Sequence, residues 1–279
     1  MTTFQKVIKY AAIGFAILLT IGILSGIVRV VSGVVLLFDG TETERVDYSA
    51  EFSDVEKLDI NNRVGNLTVK AGESNGFRVE ATNVSSDFKA KVRNGTLEID
   101  EPDFIGRFFG FNIGKSGSRR AVITVYVPKG FTADKIKIDS GAGGVKLEDI
   151  SVKNLNINAG VGDIYGRNIT AGKVDIDGGV GNISFTEVDF SNVEVGGGVG
   201  NISIEGNITG KSEFDCGVGE VDIRLTGKRE DYAMDIDAGL GSVRVNGDKV
   251  SNKYRDTYKA DNTIEIDGGV GSTEIRFGH

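Results

Sequence analysis

The chain has 279 residues, enough for one large β domain plus an anchor, and its 40 glycines beside only two prolines fit stacked strands joined by tight corners. A formal net charge of −8 argues against a nucleic-acid surface, because neutralising phosphates takes clustered Lys and Arg. Cys216 is the one cysteine, which excludes an internal disulfide; His279 is the one histidine, which excludes a His-based triad or dyad and a His-rich metal site.

Residues 1–9 carry Lys6 and Lys9, and an uncharged run follows from Tyr10 to Val28. At about 1.5 Å rise per residue that run covers about 28 Å, close to the hydrocarbon thickness of a bilayer. Residues 10–38 are therefore read as a transmembrane anchor and its exit. The basic flank precedes the span while Asp39, Glu42 and Glu44 follow it, so the positive-inside rule keeps 1–9 in the cytoplasm and puts the remainder outside the plasma membrane. A cleaved signal peptide shares the basic start and apolar core. Against it, apolar character resumes after Arg29 and runs to Phe38, and no clear small-residue cleavage site follows the core.

Residues 46–133 read as less regular strands that begin and cap the next unit, since an open end would expose apolar core and unpaired edges. "FRVEATNV" alternates apolar and polar residues, Asn94–Gly95 is a two-residue hairpin signal, and "AVITVYVPKG" is a strand closed by Pro128 and Gly130. Between them lies "EPDFIGRFFGFNIGKSGSRR", Glu101–Arg120. It gathers Phe104, Phe108, Phe109 and Phe111 with Arg107, Arg119 and Arg120 in a glycine-containing loop. Aromatics beside cations suit a membrane interface or a partner surface. The reading the sequence favours is that the phenylalanines fold back and plug the end of the stack, because surface loops seldom leave four aromatics in water; the contact surface is the functional alternative. These seven residues form the candidate contact patch.

Residues 134–277 repeat one phrase. "DSGAGGVKL", "NAGVGDIYG", "DGGVGNISF", "GGGVGNISI", "DCGVGEVDI", "DAGLGSVRV" and "DGGVGSTEI" align on their last corner glycine, and "NNRVGNLTV" is an earlier copy. The anchoring glycines are Gly65, Gly143, Gly162, Gly181, Gly200, Gly219, Gly241 and Gly271. From Gly143 to Gly219 every step is 19 residues, followed by 22 and 30. A constant period near twenty residues is the mark of a solenoid, in which each coil rests on its neighbours. The expected fold is all-β: a single-stranded, parallel β-helix-like solenoid with coils of about 19 residues, preceded by one N-terminal transmembrane helix.

Within a coil the period is two, with Val174, Ile176, Ile183 and Phe185 on one face and Asp175, Asp177 and Ser184 on the other. Stacking would set Ile157, Ile176, Val195 and Phe214 above one another, at about 25 cal/mol per Å² buried. Glycine reaches the corner backbone cheaply, and a side chain there would strike the coil above. The apolar residue between the glycines (Val161, Val180, Val199, Val218, Leu240, Val270) is expected to fill the corner from inside. Cys216 stands where other copies carry Gly or Ala and reads as a small packing residue. "NGDKVSNKYRDTYKADNT", Asn246–Thr263, is polar and charged, reads as a solvated loop, and accounts for the 30-residue step.

One column invites a metal. Asp139, Asn158, Asp177, Gly196, Asp215, Asp237 and Asp267 occupy equivalent positions before the corner and would stand about 4.8 Å apart. The calcium-binding nonapeptide pattern, however, has a period of nine and puts its Asp where this chain has Ile183 or Ile202. Short Asp and Asn side chains also accept turn N–H groups, which suffices to place them there. Neither a metal nor a cofactor is expected. An enzyme built on paired carboxylates would also want aromatic sugar platforms, and the chain has no Trp. No catalytic residue is assigned, and a small-molecule ligand is not expected.

The "GGVGNISI"-like corners, the upstream "VYVPKG" strand and the single N-terminal span resemble the bacterial β-strand-repeat family called putative adhesin, or toast-rack. The likeness covers about residues 46–277. It implies a non-catalytic stacked β domain displayed at the cell envelope, which acts through an envelope protein partner. Some relatives accompany envelope-stress systems of the Lia and phage-shock types. Surface adhesion to a host or wall polymer is the alternative, and a carbohydrate-active or calcium-binding solenoid the third.

Overall fold

The computed structural model describes residues 45–101, 120–257 and 259–278. The predicted span over 10–38 and most of the aromatic insertion lie outside them. Among the described residues no helix is long and apolar enough to cross a membrane. The chain here is strand almost throughout: β1 (Arg45–Phe52), β2 (Lys57–Gly72), β3 (Phe77–Ser85), β4 (Lys89–Arg93), β5 (Thr96–Glu101), β6 (Ala121–Pro128), β7 (Thr132–Ala142), β8 (Val145–Val161), β9 (Ile164–Val180), β10 (Ile183–Val199) and β11 (Ile202–Val218). Then come β12 (Val221–Leu225), β13 (Tyr232–Asp237), β14 (Leu240–Val245), β15 (Asp248–Val250), β16 (Lys253–Arg255) and β17 (Asn262–Phe277), with a single 3-10 turn at Arg229–Asp231.

Each of β8 to β11 is one coil, cut at the glycine corner. Parallel register holds from coil to coil, Val145 beside Ile164, Ile164 beside Ile183 and Ile183 beside Ile202. Inward residues come in pairs, Val145 and Leu147, Ile150 and Val152, Leu155 and Ile157, so every coil has three short sides. Alternation breaks between sides where Asp149, Asn168 and Glu187 take positive φ of 52–55° and turn the chain. Ile157, Ile176, Val195 and Phe214 form one buried column, as the period-two pattern predicts. Gly166 lies in another such column: a Cβ there would meet Ile169 Cδ1 at 2.8 Å and the Phe185 ring closer still, so its absent side chain makes room for Phe185.

The ends depart from chain order. β2 does not precede the stack; it lies between β5 and β6 on one side and β7 and β8 on the other. β17, last in the chain, is likewise inserted between β11 and β12 and the pair β13 and β14. Corner Gly271 therefore stacks on Gly219 and under Gly241. The segment Asn246–Thr263, expected to be a loop, instead contributes β15 and β16, which close the terminal rungs by antiparallel pairing with β14 and β13. Arg229 holds this closure by donating to both oxygens of the nearly buried Asp256 carboxylate at 2.7 Å. At the other end β1 and β3 and the Asn94–Gly95 hairpin of β4 and β5 do the same. Exposed Lys89, Lys91 and Arg93 on β4, and Lys253 and Arg255 on β16, discourage addition of further strands to these edges.

Candidate interaction surface

At the glycine corner the alternation of in and out is suspended. Between inward Ala159 and inward Ile164, the four residues Gly160 to Asp163 all face away from the core. Gly162 sits at φ +142°, and a Cβ on Gly160, at ordinary φ, would lie 2.6 Å from the Gly141 oxygen. The two glycines thus answer different demands, one for backbone angle and one for the close approach of the next coil. The interior of the corner is already occupied: Ile183 Cδ1 lies where it would stand 3.0 Å from a Cβ on Gly178, and Ile202 Cδ1 would stand 3.2 Å from one on Gly197. Cys216, 3% exposed, shares that inner column with Ala159 and Ala238, as a small packing residue would.

The residue between the glycines consequently points outward, not inward as expected. Val161 is 56% exposed, Val180 and Val199 51% each, Val218 48%, Val270 40% and Leu240 36%. Pairing puts them in one row, in the order Val64, Ala142, Val161, Val180, Val199, Val218, Val270, Leu240. Eight rungs at about 4.8 Å make an apolar ridge about 34 Å long. It is rigid: the Val161, Val180, Val199 and Val218 carbonyls accept N–H bonds from Gly143, Gly162, Gly181 and Gly200 at 2.8–2.9 Å. The signal in the sequence is the odd, five-residue step from Ala159 to Ile164, which breaks the period of two and leaves four residues outside the inward alternation.

Two polar columns flank the ridge. Behind the corner, side-chain oxygens of Asn66, Asp163, Asn182 and Asn201 accept the backbone N–H of Gly144, Asn182, Asn201 and Glu220 at 2.8–3.1 Å, which explains the recurrent Asn after the glycine. Ahead of it runs the expected Asp/Asn ladder, with Asp267 and Asp237 exchanged in order by the insertion of β17. Burial would raise the Asp139 carboxyl, but donation from Lys137 and from Asn158 Nδ2 (3.1 Å) outweighs it and holds the group below its usual range. Lys253 and the Gly239 N–H likewise lower Asp237. Asp215 moves the other way, pushed up by burial and by the neighbouring carboxylates Asp267, Glu213, Glu194 and Glu265. Among the described residues no group of three His, Cys, Asp or Glu is placed to hold a metal ion. Between ladder and ridge lies an open groove of about 460 Å³, lined by Asp139, Asn158, Asp177 and the glycine column.

Of the seven candidate contact residues, Phe104, Arg107, Phe108, Phe109, Phe111 and Arg119 lie outside the described residues, and Arg120 is exposed. Their insertion joins Glu101 to Ala121, which pair with Asn62 and Gly65, so the chain leaves and re-enters the stack at the column that bears the ridge. Glu101 fixes this exit. It is 3% exposed, accepts the Ser85 N–H at 2.9 Å and pairs with Arg45 at 3.2 Å, while burial pushes its carboxyl up.

The family model described as Toastrack DUF4097 matches residues 55–263. No curated protein matches the chain. Among solved structures the chain is similar to a putative cell adhesion protein from Clostridium sporogenes, at 22% identity over 84% of this chain and 100% of that one, TM-score 0.42. It is similar to a putative adhesin from Bacteroides fragilis at 15% identity, 85% and 100% coverage and TM-score 0.46. A protein from Parabacteroides distasonis described as a putative lipid binding protein is similar at 15% identity, 83% and 98% coverage and TM-score 0.34.

Proposed function

The chain belongs to the Toastrack DUF4097 family, and from that premise we propose that it is a membrane-anchored, extracytoplasmic scaffold that works by protein contact at the cell envelope, in envelope-stress sensing or regulation. The observation that carries this reading is the ridge. A row of half-exposed valines recurs at every corner of the regular coils although the fold does not bury it, and contiguous apolar surface of this extent marks a contact site. The aromatic and basic insertion is joined to the stack at Glu101 and Ala121, which pair with Asn62 and Gly65 on either side of Val64. The anchor rests on the uncharged run Tyr10–Val28 and the charge asymmetry around it. The scaffold is non-catalytic in this reading.

The test is site-specific photo-crosslinking of the full chain in its own membranes, with the photoreactive residue at Val180 on the ridge or at Ser184 on the adjoining face. A discrete protein adduct is expected from Val180 and not from Ser184, and Val161→Asp with Val199→Asp should abolish it. Absence of any protein adduct at Val180, or equal adducts from both faces, overturns the proposal. A second reading, adhesion to a wall or host polymer, draws support from the groove, whose carboxylate and amide ladder suits rows of sugar hydroxyls. Co-sedimentation with purified wall, lost on Asp177→Ala and kept on Val180→Asp, would favour it.

A further inference from the structure

We infer that the partner seated on the ridge is a second copy of this chain, packed with its stack parallel to the first. This rests on the reading of the ridge as a contact surface and assigns its occupant. A straight row with a constant rung of about 4.8 Å is matched at every step only by a row of the same period, which a second copy supplies by construction. The ridge is bordered by Gly160, Gly179 and Gly198 on one side and Gly162, Gly181 and Gly200 on the other. Those columns present bare backbone, and the valines of a facing copy can settle over them without displacing any side chain. A face about 34 Å long and at most about 16 Å across, the five residues from the Asp ladder to the Asn column at about 3.3 Å each, offers about 500 Å² per copy, the size of a weak, reversible interface.

Charge selects the orientation. With the two-fold axis along the stack and the rungs in register, Asn158 and Asp177 of one copy face Asp163 and Asn182 of the other, amide against carboxylate, and only Asp215 meets an acid, Glu220. With the axis across the stack the ladder faces itself, Asp139 against Asp267, and Asp163 faces Glu220, so acids meet at twice as many rungs.

The test uses the full chain in nanodiscs, on a Cys216→Ala background, since alanine already occupies that inner column at Ala159 and Ala238. Val64→Cys and Leu240→Cys, at opposite ends of the ridge, should each form a disulfide-linked dimer under mild oxidation, and Ser184→Cys should not. Val180→Asp with Val199→Asp should leave the melting curve unchanged and weaken self-association about 100-fold or more by sedimentation. The inference is overturned by a wild-type chain that stays monomeric at about 10 μM, by disulfides that form only between Val64→Cys and Leu240→Cys chains, or by dimerisation indifferent to the double Asp variant. An adduct at Val180 to a different protein overturns the second copy and leaves the contact reading standing; no adduct of any kind removes both.

Discussion

Replacing Gly162 by alanine tests the corner geometry on which the rest depends. The residue sits at φ +142°, and a Cβ there lies 2.6 Å from the carbonyl carbon of Gly143 and nearer to its oxygen. Carbon atoms in ordinary contact are about 3.5–4.0 Å apart, so the rung must open by about 1 Å. The Gly143 N–H bond to the Val161 carbonyl, now 2.8 Å, does not survive that opening. Backbone strain, a lost ladder bond and overpacking together amount to about 4 kcal/mol. Gly130→Ala is the control: its φ is +76° but nothing lies within 4 Å of the added carbon, so only the left-handed conformation is charged, about 1–2 kcal/mol. Urea unfolding followed by far-UV circular dichroism compares the two. Because coils couple through nearest-neighbour interfaces, the Gly162→Ala transition should also broaden. A Gly162→Ala chain as stable as Gly130→Ala, within about 0.5 kcal/mol, would show that the corners do not stack as described.

Two further predictions follow from the interior and the acidic ladder. Phe185 is fully buried and meets Phe190 edge-on at 5.7 Å; Phe185→Ala should cost about 3–5 kcal/mol in the same assay, whereas a loss under about 1 kcal/mol would mean that the cavity beside Gly166 collapses freely. Asp215 has a folded-state pKa above its unfolded value, so its contribution favours the fold at low pH and is lost as pH rises through the folded pKa. Asp215→Asn should therefore stabilise the chain at pH 7 by a few tenths of a kcal/mol, discounted for its exposure to solvent, and the gain should vanish below about pH 4. A variant that melts lower than wild type at pH 7, or whose advantage grows on acidification, refutes the electrostatic account.

Much of the fold was legible because a solenoid writes its contacts locally. The 19-residue step placed Val145, Ile164, Ile183 and Ile202 in one column, and the period of two put Val174 and Ile176 inside. Asn94–Gly95 announced its hairpin, with φ of 49° and 72°. The interaction surface was legible only in its parts. The corner glycines were found for the right reason, but the valine between them was assigned to the core, because hydrophobicity alone makes burial the default and says nothing about whether the space is already taken.

The repeat period, the strand faces and the uncharged run Tyr10–Val28 are properties of the sequence by itself, since each depends on residues a few positions or one coil apart. Two matters were settled only in three dimensions. The stack order at the ends brings Asn66 to Gly144 across 78 positions and Ser272 to Glu220 across 52, separations that no local period encodes. The outward aim of the valines follows from Ile183 and Ile202 reaching back to fill the corners first. Close packing lets one side chain occupy that volume, and the residue excluded from it becomes the surface.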